Sequence, residues 1–311
     1  MELLKSINEL QGTLESCSLT IGTFDGMHRG HLHLISELKN TSNSCGAPSV
    51  VVTFNPNPFT VLNNMDKQEY HLIEDTNKYE ILDSMGVDFL LELNFDRKMA
   101  DISAKDFLKD FIMSPFNPRS IIIGYDHHFG KDRVGNKEFL TKNQSSYGYN
   151  LKVVGPFKIE DEVVSSSLIR KLIKEGNVVT ANRYLGRNYK VGGKIIEGDS
   201  IGRELDFPTA NIDISAINQI IPKNGVYFIK TKINEDNYYG MCNIGRRPTV
   251  SSENKVSMEV HIFNYSEFDL YAQFIEIEFV DYVRNEKKFK NIDELKSQLI
   301  KDKGYCEGLQ F

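Results

Sequence analysis

A chain of 311 residues is long enough for two domains, each with its own hydrophobic core. Hydrophobic residues at 40%, charged residues at 26%, 22 Gly and 9 Pro are ordinary globular proportions and exclude collagen-like, low-complexity and disordered chains. The formal charge of −6 confines any surface for nucleic acid or an anionic membrane to a local patch, and leaves phosphate-bearing small molecules open. Cys17, Cys45, Cys242 and Cys306 form no close pair, which argues against a structural zinc and a disulfide framework. The opening MELLKSINELQG has no apolar signal segment, and no window approaches the ~20 apolar residues of a membrane span, so a cytoplasmic location is expected.

In chain order, the apolar runs Leu19–Thr23, Val50–Phe54, Phe89–Leu93 and Ser120–Gly124 predict buried parallel strands. His31–Lys39, Asn77–Met85 and Ser103–Met113 predict the helices between them. This alternation predicts a doubly wound α/β sheet whose ligand lies beyond the carboxyl ends of the strands. After Ser166 the pattern turns helical, with Leu168, Leu172 and Ile173 on one face, and a second short helix ends near Leu185 and Gly186. The domain boundary is expected there, giving residues 1–186 and 187–311. Beyond it, Tyr189–Glu197, Val226–Thr231, Tyr238–Ile244, Lys255–Phe263 and Leu270–Val280 alternate as antiparallel strands of a barrel or sandwich, closed by a helix near Ile292–Lys303.

The densest chemical signal is Gly22–His31, GTFDGMHRGH, which places glycines and two histidines three residues apart where a strand turns into a helix. Amide N–H groups at a helix N-terminus with imidazoles beside them suit phosphate oxygens. Gly130–Lys137, GKDRVGNK, imitates a Walker A loop, but Asn136 and Lys137 stand where Lys and Ser/Thr are required, which excludes a P-loop. Ser165–Ser167 alone is an ordinary helix cap, and Arg170 one turn later adds a guanidinium able to grip two phosphate oxygens. The Gly198-x-x-x-Gly202-Arg203 turn, met alone, reads more often as a solvated hairpin than as a phosphate-lining loop. Alternation puts Glu259 on the polar face of its strand with Ser257 and His261, where a lone glutamate is ordinarily solvated.

His28, Gly30 and His31 form an H-x-G-H element that resembles the nucleotidylyltransferase superfamily, and the longer string resembles the bacterial bifunctional riboflavin kinase/FMN adenylyltransferase family, the FAD synthetases. Thr53–Pro58 (TFNPNP), Gly124–Gly130 (GYDHHFG) with Gly135, and Ser165–Arg170 (SSSLIR) are similar to further motifs of that family. Gly202–Ile212 (GRELDFPTANI), Asn224–Tyr227 (NGVY), Asn243–Val250 (NIGRRPTV) and Met258–Phe263 (MEVHIF) resemble its riboflavin kinase domain.

The resemblance implies an N-terminal Rossmann-like α/β nucleotidylyltransferase domain followed by an antiparallel β-barrel kinase domain. It implies phosphorylation of riboflavin by ATP to FMN, then adenylylation of FMN by a second ATP to FAD and pyrophosphate, with Mg²⁺. In the kinase half it makes Glu259 the base and puts Thr209 and Asn211 at Mg²⁺ and ATP. In the first half it makes His28, His31 and Arg170 catalytic, with Gly22, Phe24, Gly26, Gly30, Asp126, Ser165 and Ser166 around ATP and Asn57 toward the flavin phosphate. Riboflavin, FMN, FAD and ATP are then the partners, and no nucleic acid, membrane or obligate protein partner is expected.

Two positions depart from the family pattern. Asn57 replaces a histidine and has no charge to offer, and Asp206 replaces a glycine and adds a negative charge near the nucleotide loop. They keep open the alternative of a flavin-binding member with one activity weakened or lost. A monofunctional nucleotidylyltransferase for another substrate, such as pantetheine phosphate or a nicotinate nucleotide, is opposed by the GRELDFPTANI and MEVHIF strings.

Overall fold

The computed structural model describes residues 1–10, 14–197, 207–246, 256–265 and 270–309. Contacts divide the chain into two compact units, Met1–Ser166 and Ser167–Phe311.

The first unit is built on a parallel sheet of β1 (Glu2–Leu4), β2 (Ser18–Ile21), β3 (Ser49–Asn55), β4 (Phe89–Asn94), β5 (Ser120–Gly124) and β6 (Asn150–Val154), in the order β1-β4-β3-β2-β5-β6. A small hairpin of β7 (Lys158–Ile159) and β8 (Glu162–Val163) follows. The apolar runs fill cores on both faces, because successive side chains of a strand point to opposite sides. Val50, Val52, Leu91, Ile121 and Ile123 enter one core, while Val51, Leu90 and Ile122 enter the other against Leu34, Ile35 and Leu38 of the Arg29–Cys45 helix. That helix stops at Gly46, whose φ of 59° lets its N–H and that of Ala47 turn back onto the last carbonyls. The edge strands β1 and β6 were not expected from the sequence, since each buries only its last residue. In this strand order the direction of winding reverses between β2 and β5, and the crevice beyond their carboxyl ends is the ligand position of doubly wound folds.

The second unit carries a closed antiparallel barrel, which settles the choice between barrel and sandwich. Its strands are β9 (Tyr189–Ile196), β10 (Ala210–Ile212), β11 (Gly225–Ile233), β12 (Asp236–Arg246), β13 (Val256–Ile262) and β14 (Phe274–Arg284), in the closed order β10-β13-β12-β11-β14-β9. Closure leaves no open sheet edge. The Ile292–Gly308 helix is capped by Asn291, which accepts the Glu294 N–H at 2.9 Å, and is pinned to β14 by a two-pronged Arg284–Asp302 ion pair.

The contact break at Ser166/Ser167 falls in the first turn of the Ser166–Glu175 helix and before the Val178–Leu185 helix, whereas the sequence boundary at 186/187 follows both. Hydrogen bonds explain the difference: Asn182 donates to the Phe279 carbonyl at 2.8 Å and accepts the Tyr189 N–H at 2.7 Å, and Lys223 donates its N–H to the Ile173 carbonyl. Both helices are thereby tied to barrel strands and loops.

Candidate active sites

The Gly22–His31 segment occupies the carboxyl end of β2, as its sequence implied. Phe24, Gly26 and Met27 all have positive φ, at 50°, 85° and 38°, which winds the loop back before the Arg29–Cys45 helix begins. Holding the two non-glycine residues there costs on the order of 1–3 kcal/mol each, an investment typical of ligand loops. His28 is the helix N-cap: its Nδ1 accepts the His31 N–H at 3.3 Å. In the neutral ring the proton therefore sits on Nε2. The His28 and His31 rings stack with centroids 3.7 Å apart, and Phe24 meets His31 edge-on. Gly30 leaves room for this packing, since a β-carbon there would lie a tight 3.1 Å from the His28 ring.

Asp25 ties this loop to two distant segments and carried no motif signal of its own. Its carboxylate accepts the Leu72 N–H at 2.9 Å, and its carbonyl accepts the Ser166 hydroxyl at 2.8 Å. Gly22, Phe24, Gly26, His28, Gly30, His31 and Ser166, with Ser165 beside it, thus form one constellation. The neighbouring His71 is buried, and burial holds its pKa below the ordinary histidine value despite Asp25 and Asp75 nearby.

Asn57 and Asp126 follow β3 and β5, the two strands that flank β2. Asp126 is exposed. Asn57 is buried and caps the Pro58–Asn63 helix by accepting the Phe59 N–H at 2.9 Å, so its carbonyl end is structural and only its amide nitrogen is left to serve a ligand. Asn136, where a P-loop would have lysine, caps the Lys137–Tyr147 helix instead. Arg170 lies one turn into the Ser166–Glu175 helix and falls within the second unit.

In the barrel, Asn211 of β10 stands directly opposite Glu259 of β13. Asn211 is buried, Glu259 half-buried and Thr209 exposed just before the strand. His261, two residues beyond Glu259, holds the approach to Thr209: its Nδ1 lies 2.9 Å from the Pro208 carbonyl and so donates to it, while its ring packs on Phe207. Burial keeps the His261 pKa low. Among the described residues no cluster of three or more His, Cys, Asp or Glu forms a metal cage. The Thr209 hydroxyl, Asn211 carbonyl and Glu259 carboxylate are hard oxygen donors of the kind a divalent cation shares with nucleotide phosphates. Gly198, Gly202, Arg203 and Asp206 lie outside the described residues.

Two separate polar constellations thus stand on two different folds, a parallel α/β sheet and a closed barrel. The FAD synthetase family model matches residues 10–168 and the riboflavin kinase model residues 185–309. The chain belongs to the bifunctional riboflavin kinase/FMN adenylyltransferase family. It is 33% identical over 304 residues to the bifunctional riboflavin kinase/FMN adenylyltransferase of Escherichia coli (strain K12), covering 97% of this chain and 96% of that protein. The enzyme of the same description from Buchnera aphidicola subsp. Schizaphis graminum is 34% identical over 308 residues, with the same coverage. A crystal structure from Streptococcus pneumoniae, described as a macrolide-efflux protein, superposes with a TM-score of 0.87 at 28% identity and covers 98% of both chains. Among the described residues of the present chain, no helix is long and apolar enough to cross a membrane.

Proposed function

We propose that residues 1–186 adenylylate FMN and residues 187–311 phosphorylate riboflavin, with the roles that follow. The enzyme makes FMN from riboflavin and ATP, and FAD from FMN and a second ATP. In the kinase half, Glu259 takes the proton of the ribityl 5′-hydroxyl as that oxygen attacks the γ-phosphorus and ADP departs. Thr209 and Asn211 would hold Mg²⁺, which supplies charge neutralisation at the ATP phosphates. Gly198, Gly202 and Arg203 line those phosphates.

In the first half the nucleophile needs no activation, because the FMN phosphate is already an anion. The task is to align it with the α-phosphorus and to stabilise the departing pyrophosphate. His28 and His31 donate toward those oxygens at the helix N-terminus. Gly22, Phe24, Gly26 and Gly30 shape the cradle, Asp126, Ser165 and Ser166 border it, and Arg170 adds its guanidinium. Asn57 gives its amide nitrogen to the FMN phosphate, a neutral donor where the family has histidine. All substrates are small and water-soluble, so the proposed reactions suit a cytoplasmic enzyme and call on no nucleic acid, membrane or obligate protein partner.

The observation that supports this division best is that each fold carries its own polar constellation, with Asp25, His28, His31 and Ser166 in one and Asn211 and Glu259 in the other. The comparisons give no support to a flavin-binding relative with one activity lost. Incubation of the full chain with riboflavin, ATP and Mg²⁺ should yield FMN and then FAD. Accumulation of FMN alone would show a weakened adenylyl site.

A further inference from the structure

The strand that carries Asn211 is short. β10 holds only Ala210–Ile212, and its ladder with β13 begins where Ala210 meets Val260. Pro208 stands just before it and has no N–H with which to carry the ladder further. A side chain takes over at that point: His261 of β13 reaches the Pro208 carbonyl from Nδ1 at 2.9 Å. A carbonyl only accepts, so Nδ1 carries the proton. Thr209 is thereby held on both sides, with the Pro208 carbonyl fixed before it and Ala210 paired after it.

The imidazole is itself immobilised. It is buried, with its centroid 5.0 Å from the Phe207 ring and 5.6 Å from the Phe263 ring, and Met241 stands directly opposite on β12. Phe207, Met241 and Phe263 belong to one apolar cluster with Cys306 of the Ile292–Gly308 helix. Thr209, by contrast, is exposed. A ring whose freedom is already lost to packing makes a firmer anchor than a mobile surface side chain, and the His261–Pro208 bond joins such an anchor to the segment that presents Thr209.

We propose that His261 is a positioning residue of the kinase site: by donating from Nδ1 to the Pro208 carbonyl it fixes Thr209 for ATP. The inference rests on Thr209 facing the nucleotide. Two variants of the full chain separate the donor from the ring. His261→Phe keeps an aromatic ring and loses the N–H, whereas His261→Asn loses the ring and keeps an N–H donor on the atom that corresponds to Nδ1. The measurements are kcat and KM for ATP in riboflavin phosphorylation, KM for ATP in FMN adenylylation, and amide hydrogen exchange over residues 207–212 without nucleotide. His261→Phe should raise the KM for ATP in phosphorylation ~10-fold or more and speed exchange over 207–212, with adenylylation unchanged. His261→Asn should stay within about 3-fold of the parent in KM and keep the parent exchange. Parent KM and exchange in His261→Phe, an equal loss of both reactions in a folded His261→Phe, or a His261→Asn as impaired as His261→Phe would overturn the proposal. Should His261→Phe fail to fold, His261→Asn decides: near-parent KM and exchange support the proposal, and a KM raised ~10-fold overturns it. A parent KM for ATP in Thr209→Ala would instead remove the reading of Thr209 on which the proposal rests.

Discussion

His28 accepts the backbone N–H of His31 at Nδ1 across 3.3 Å while the two rings stack 3.7 Å apart. One imidazole therefore performs two tasks. It caps the helix that packs against the sheet, and it turns its Nε2 edge away from that cap.

Separating those tasks is straightforward, because asparagine is a good cap acceptor without an imidazole. His28→Asn and His28→Ala should both slow FAD formation from supplied FMN by ~10²–10³, the usual cost of one oxyanion donor. Only His28→Ala should also lose about 1 kcal/mol of stability in thermal unfolding, from the missing cap. Riboflavin phosphorylation should persist in both. A fully active His28→Asn would reduce His28 to a cap.

The kinase half should stand alone only when it keeps the helices that pack on it. The Val178–Leu185 helix contacts β9 and β14, buries Val178, Ala181, Tyr184 and Leu185, and bonds through Asn182 to Tyr189 and Phe279. A Ser167–Phe311 fragment should fold, make FMN and make no FAD, and it should melt well above Arg187–Phe311. Equal melting temperatures would favour the boundary at 186/187.

Acid should destabilise the protein before its carboxylates titrate. Burial is the first cause that lowers the pKa of His71 and His261, and it brings His127 down to about 4. In the unfolded chain these rings titrate near ~6.5, so below that pH the unfolded state binds more protons and stability falls. The stability is complete above ~6.5 and is lost as pH drops toward the folded values. His127 packs against Phe129 with an Nε2 that is buried without a hydrogen-bond partner, so His127→Phe should keep the packing and flatten the fall in melting temperature between pH 7 and pH 5. An unchanged slope would assign the acid sensitivity elsewhere.

Sequence periodicity revealed the elements whose cause is local. Ser120–Gly124 reads as a strand because every residue but the last is buried, and the other central runs agree within a few residues. The edge strands β1 and β6 and the three-residue β10 were illegible, since short or half-exposed strands owe their existence to partners far along the chain. The same holds at the sites. Motif spacing and the family resemblance singled out His28, Ser166, Asn211 and Glu259, but Asp25 reaches Leu72 and Ser166 only through contacts across 47 and 141 positions.

The most direct measurement concerns Glu259, which sits on β13 between Asn211 and Asn243. A primary hydroxyl is a poor nucleophile until its proton is removed, and a positioned base contributes ~10²–10⁴ in rate. Glu259→Gln is nearly isosteric but cannot accept the proton as a carboxylate does. FMN and FAD formed from riboflavin and from supplied FMN should be resolved side by side for this variant and the parent. The expected result is a loss of at least ~10² in FMN production with FMN-to-FAD conversion preserved. Riboflavin phosphorylation within a few-fold of the parent, or an equal loss of both reactions, would contradict a separate kinase site with Glu259 as its base.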